Sequence, residues 1–139
     1  MAQYLREIMT QQPVTVQTSD TITAAARTMR DANIGAVVVI EHGHVCGILT
    51  DRDIVVRGLA EERDLARTTV GDICSRELTT LSPEDAIGHA VAVMREKAIR
   101  RLPVVEGGRA VGIVTLGDLA IARDPESPLG GISAAPPNR

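Results

Sequence analysis

Apolar residues recur along this chain in two alternating rhythms. Ile22, Ala25, Ala26 and Met29 fall at i, i+3, i+4 and i+7, the stripe of a helix with one buried face. Ile87, Ala90, Val91 and Met94 repeat that stripe. Each stripe is followed by two short apolar runs around a tight turn. "AVVVI" and "VCGILT" flank Glu41-His42-Gly43-His44, while "LPVV" and "AVGIVT" flank Glu106-Gly107-Gly108-Arg109. Such runs predict hairpins. Ahead of each stripe a short strand is predicted around residues 14–16 and 79–81, preceded by the segments "REIM" and "VGDIC". Ser19 and Ser82 stand near the helix starts with acids close behind, as a helix N-terminus prefers. A last helix is predicted from Asp51 in one half and from Leu116 in the other.

The rhythms recur because the chain is a tandem repeat. Sliding it by 65 residues aligns residues 5–54 with 70–119 without a gap, and 15 of the 50 pairs are identical. Thr15/Thr80, Asp20/Asp85, Met29/Met94, Gly47/Gly112, Thr50/Thr115 and Asp53/Asp118 are among them. The predicted fold class is α/β in the mixed α+β sense, with each copy in the order β-α-β-β-α. So short a unit leaves one face of its sheet uncovered, so the two copies are expected to pack together. The first copy is assigned to residues 5–60, a charged and partly helical connector to 61–69, and the second copy to 70–122. Residues 123–139, rich in Pro, Gly and Ser, read as a flexible tail.

Composition narrows the function classes. Of 139 residues 44% are apolar, enough for a packed core, yet no run approaches the roughly 18–20 residues of a membrane span. The start, "MAQYLREIMT", lacks the apolar core of a secretory signal, so a soluble cytoplasmic protein is expected, with no membrane partner. Fifteen basic against 18 acidic residues give a net charge of −3, and Tyr4 is the sole aromatic residue. Nucleic acid is therefore not an expected partner, since it is held by basic surfaces and by rings that stack on bases. Cys46 and Cys74 have no metal-ligand spacing and read as small apolar residues.

Chemistry concentrates at the end of each copy, in "GILTDRDI" and "GIVTLGDL". Thr-x-x-Asp at a helix start is a capping box, with hydroxyl and carboxylate each bonding a backbone N–H. It is also a nucleotide-binding pattern, because the hydroxyl can donate to phosphate or ribose while the carboxylate accepts ribose hydroxyls. Gly47 and Gly112, just upstream, let backbone or ligand approach closely. Both readings stay open on the residues alone. His42 and His44 belong to a turn, His89 lies on a helix without a sequence partner, and Glu61, Glu62 and Asp64 form a solvated connector face. No catalytic or metal motif appears, so no catalytic residue, no metal and no required cofactor are expected.

The doubled pattern, carried by "GAVVVIEHGHVCGILTDRDI" and "RLPVVEGGRAVGIVTLGDL", resembles a pair of CBS domains, the modules named after cystathionine β-synthase. With "TDRDIVVRGLA" it is similar to stand-alone bacterial CBS-pair proteins, including the mycobacterial hypoxic response type. The resemblance covers about residues 5–122. It implies a pseudo-twofold pair of motifs, dimerisation, and adenosine-containing ligands such as AMP, ADP or ATP in the clefts, as regulatory ligands of a non-catalytic sensor linked to stress response. Carried over by position, Thr50 and Thr115 would contact ribose or phosphate, and Asp53 and Asp118 would hold the ribose hydroxyls. Val14, Thr15, Ala36 and Val37 in one copy, and Thr79, Thr80, Leu102 and Pro103 in the other, would face the adenine. Arg100 and Arg101 stand where the family often places phosphate-binding cations, and the first copy has Gly35 and Ala36 there. The second site is thus expected to be the better nucleotide binder. The rival reading is a ligand-free dimeric scaffold whose Thr-x-x-Asp motifs only cap helices. On either reading the regulated protein partner is separate and unidentified.

Overall fold

The computed structural model describes residues 3–76 and 78–123. In chain order the elements are β1 (Thr10–Gln11), β2 (Thr15–Gln17), α1 (Ile22–Ala32), β3 (Ala36–Glu41), β4 (His44–Thr50), α2 (Asp51–Asp53), α3 (Val70–Ile73), α4 (Ile87–Lys97), β5 (Arg101–Glu106), β6 (Arg109–Thr115) and α5 (Leu116–Arg123). The α2 helix runs directly into a π-helical segment, Ile54–Leu59. The strand predicted around residues 79–81 is reduced to one parallel bridge, Leu81 to Val104.

These elements form two compact units, and the units cut across the sequence repeat. One contains residues 3–12, 79–106 and 111–123. Its sheet has the order β1-β6-β5, with Thr10 opposite Ile113 and Gln11 opposite Gly112. Leu5 is fully buried in its core beside Ile87, Met94, Leu102, Val104, Val114 and Leu119. The other unit contains residues 13–76, 78 and 107–110. Its sheet has the order β2-β3-β4, parallel between β2 and β3 and antiparallel between β3 and β4. Val16, Ile22, Met29, Val37, Val39, Leu49, Val70 and Ile73 form its core. The leading segment of the first copy therefore completes the second copy's sheet. The leading segment of the second copy packs on the first, with Ser75 bridging Ile48 on β4.

The helical stripes are buried as predicted: Ile22, Ala25 and Met29 in one unit, Ile87, Ala90 and Met94 in the other. The caps differ from the expectation. Thr21, not Ser19, caps α1, its hydroxyl accepting from Ala24 N–H at 3.1 Å. The counterpart before α4 is Ala86, which has no capping oxygen. The acids upstream brace turns instead: Asp20 accepts from Gln17 N–H and Asp85 from Ser82 N–H, both at 2.8 Å. Each shapes the chain between the short strand region and its helix. The residues 124–139 of the predicted tail lie outside the described residues.

Candidate functional site

Both Thr-x-x-Asp motifs form reciprocal boxes with the same dimensions. Asp53 N–H donates to Thr50 Oγ1 at 3.1 Å and Thr50 N–H to Asp53 Oδ2 at 2.9 Å. Asp118 N–H donates to Thr115 Oγ1 at 3.1 Å and Thr115 N–H to Asp118 Oδ2 at 2.9 Å. Each aspartate spends one oxygen on the cap. Its Oδ1 has no hydrogen-bond or ion-pair partner among the described residues. Both aspartates are half-buried.

Backbone pairing gathers the other predicted residues around each box. In the second copy Leu116 N–H donates to Arg100 C=O at 2.9 Å, fixing Arg100 beside the start of α5. Leu81 N–H donates to Pro103 C=O at 3.1 Å, and Val105 N–H to Leu81 C=O at 2.8 Å. This parallel pairing runs Thr79 and Thr80 alongside Leu102 and Pro103. In the first copy Asp51 N–H donates to Gly35 C=O at 2.9 Å, and Ala36 lies opposite Thr50 in the ladder. Val38 N–H donates to Val14 C=O at 3.1 Å, and Thr15 lies opposite Val38.

Not every predicted residue has a side chain to offer. Val37 and Leu102 are core residues, 0% and 1% exposed, and Pro103 is fully buried. Whatever they give a ligand must come from main chain or from one edge. Arg100 and Arg101 are exposed and make no ion pair with any described acid.

The glycines before the boxes serve the exchanged segments. A Cβ on Gly47 would strike the Ser75 carbonyl oxygen, and one on Gly112 would meet the Met9 thioether and the Thr10 carbonyl. Sequence reasoning missed Met9, Thr10, Ser75 and Arg76 as neighbours of the strands that carry the boxes. The signal was present, since a glycine inside a strand often marks close backbone approach.

Among the described residues no group of three or more His, Cys, Asp or Glu is placed to hold a metal ion. His42 and His44 are exposed on the β3–β4 hairpin and His89 is exposed on α4. Burial pushes both cysteine thiols above their ordinary value, Cys46 and Cys74 alike. A raised thiol is mostly protonated at neutral pH and a poor nucleophile or ligand. Among the described residues no helix is long and apolar enough to cross a membrane.

Two mixed α/β units of this topology, each with a hydroxyl–carboxylate box between the hairpin's last strand and its helix, define a class of paired regulatory modules. The comparisons place the chain within it. The family model "CBS domain" matches residues 5–60 and again 70–124, and the chain belongs to that family as a CBS pair. It is 43% identical over 117 residues to the CBS domain-containing protein YhcV of Bacillus subtilis, covering 84% of this chain and 83% of that protein. It is 38% identical over 116 residues to Hypoxic response protein 1 of Mycobacterium tuberculosis, covering 83% and 81%. A crystal structure of Hypoxic Response Protein I with two coordinated zinc ions superposes with a TM-score of 0.77 at 37% identity, covering 84% of this chain and 96% of that one. The CBS domain pair of protein MJ0100, in complex with 5′-methylthioadenosine and S-adenosyl-L-methionine, superposes with a TM-score of 0.79 at 27% identity, covering 89% and 98%.

Proposed function

We propose that this CBS pair is a non-catalytic sensor that binds adenosine-containing nucleotides and acts on a separate protein, working as a homodimer. The observation that carries the proposal is the second copy's box. Asp118 keeps one oxygen free for ribose hydroxyls, and the Leu116–Arg100 hydrogen bond sets a guanidinium-bearing residue beside it for phosphate. A guanidinium suits that role because it binds phosphate through paired N–H donors. The adenosyl ligands in the MJ0100 complex support the ligand class. Thr79, Thr80, Arg101, Leu102 and Pro103 complete the proposed second site. Thr50, Asp53, Val14, Thr15, Ala36 and Val37 make the first.

Thermal melting with AMP, ADP, ATP and S-adenosylmethionine tests it. A ligand at about 100 times its dissociation constant adds roughly 2.7 kcal/mol, a shift of several degrees. Asp118→Ala should abolish or sharply reduce the shift given by AMP, ADP or ATP, measured against that variant's own ligand-free midpoint because the cap is lost too. If no nucleotide moves the wild-type midpoint, the boxes are helix caps only and the protein is a ligand-free scaffold.

A further inference from the structure

The two boxes match in geometry and differ in what surrounds them. In the second copy the first helical N–H is held by the carbonyl of Arg100, and in the first copy by the carbonyl of Gly35. The residue carrying that N–H is Leu116 in one and Asp51 in the other. The next N–H differs as well. In the first copy the Asp51 side chain takes it up, with Arg52 N–H donating to Asp51 Oδ1 at 2.8 Å. Leu116 offers Gly117 N–H no such acceptor.

Charge follows the same division. Around the second box stand Asp118 and two exposed cations, Arg100 and Arg101, that make no ion pair among the described residues. Around the first stand Asp51, Arg52 and Asp53, a net negative stretch. Arg30 shares an open cleft of about 520 Å³ with Gly35 and Asp51, and its Nε donates to the neighbouring Asp31 Oδ1 at 2.9 Å, so an acid accompanies the cation of that cleft and offsets its charge. A phosphate at the first box would meet two carboxylates and find its nearest backbone donors already bonded. An adenosyl group without phosphate would lose nothing, since its ribose needs only the Asp53 oxygen and its base only main chain.

We infer that the pair is chemically divided. The second site takes phosphorylated adenosine, while the first takes an adenosyl compound without phosphate, neutral or cationic, with Asp51 as the residue that rejects the anion. This rests on the proposed nucleotide-binding function and adds selectivity between its two sites.

The test is isothermal titration of wild type, Asp118→Ala and Asp118→Asn with ATP, adenosine and S-adenosylmethionine. Asp118→Asn keeps an oxygen for the Thr115 cap, so it guards against loss of folding. Disabling the second site should remove ATP binding. At least one of adenosine and S-adenosylmethionine should remain bound about tenfold or more tightly than ATP. Adenosine alone would mark the remaining site as suited to a neutral nucleoside, and a preference for S-adenosylmethionine as suited to a cation. Adding Asp51→Leu and Gly35→Arg to Asp118→Asn should restore ATP binding at the first site. If wild type binds none of the three, the nucleotide-binding function itself fails and this inference with it. If wild type binds ATP but the Asp118 variants bind ATP as tightly as adenosine, or bind nothing, only the division between sites is overturned.

Discussion

Gly47 and Gly112 occupy equivalent places in the repeat, yet a methyl group would cost them different amounts. At Gly47 the obstruction is backbone, the Ser75 carbonyl oxygen, whose neighbour N–H is itself bonded to Ile48 C=O at 3.1 Å. Moving it breaks the bridge that holds residues 74–76 on β4. At Gly112 the nearest atoms are the sulfur and Cγ of Met9, a flexible side chain that can turn away. The Thr10 carbonyl oxygen there, at 3.0 Å, has to give by only a few tenths of an ångström, far less than the Ser75 oxygen at Gly47. Gly47→Ala should therefore destabilise the protein by about 1–3 kcal/mol and Gly112→Ala by clearly less, read from denaturant midpoints. Equal losses would mean that Met9 is as rigidly held as the Ser75 backbone.

Elements in the two copies are built alike but finished differently. Helix α1 ends on Asn33 at φ 56°, a residue that tolerates the left-handed conformation. Its counterpart α4 ends on Ala98 at φ 55°, where a Cβ is unwelcome. Ala98→Gly should raise stability by roughly 0.5–1 kcal/mol, detectable as a higher melting midpoint. A lower midpoint would show that the entropy lost by glycine on folding outweighs the relieved strain. The helices after the boxes diverge further. The first passes into π-helical turns, with Ala60 N–H bonded to Val55 C=O at 2.8 Å, and leaves Val55, Val56 and Leu59 exposed. Arg57, whose counterpart is Ala122, bonds the Ile73 carbonyl at 3.3 Å and ties this segment to the end of α3. The helical periodicity around residues 51–59 does not announce the wider turn, because one extra residue per turn leaves the same residue types in place. Within that turn Gly58 is buried close to Leu65 and Ile73, where a side chain would meet Leu65.

At the scale of the whole molecule, the proposed homodimer makes a direct prediction. Sedimentation equilibrium should return twice the chain mass, and the melting midpoint should rise with protein concentration if folding and association are linked. A single-chain mass at every concentration would remove the dimer from the proposal while leaving the nucleotide sites untouched. By itself the sequence determined the repeat, the order of the main helices and hairpins, both buried helical stripes and both boxes. The stripes and boxes are written in residues no more than a few positions apart, where hydrophobic period and capping chemistry act, and the repeat in identities 65 residues apart. It also held the asymmetry of charge, since Arg100 and Gly35 can be matched by counting 65 residues. Only the tertiary structure decided which sheet each leading segment joins. "REIM" and "VGDIC" carry similar apolar residues and could complete either copy; pairing Thr10 with Ile113 and Ser75 with Ile48 is a long-range choice. Only the fold, likewise, turned Val37, Leu102 and Pro103 inward. A strand's alternation says which residues share a face, and burial of that face depends on what the rest of the chain lays against it.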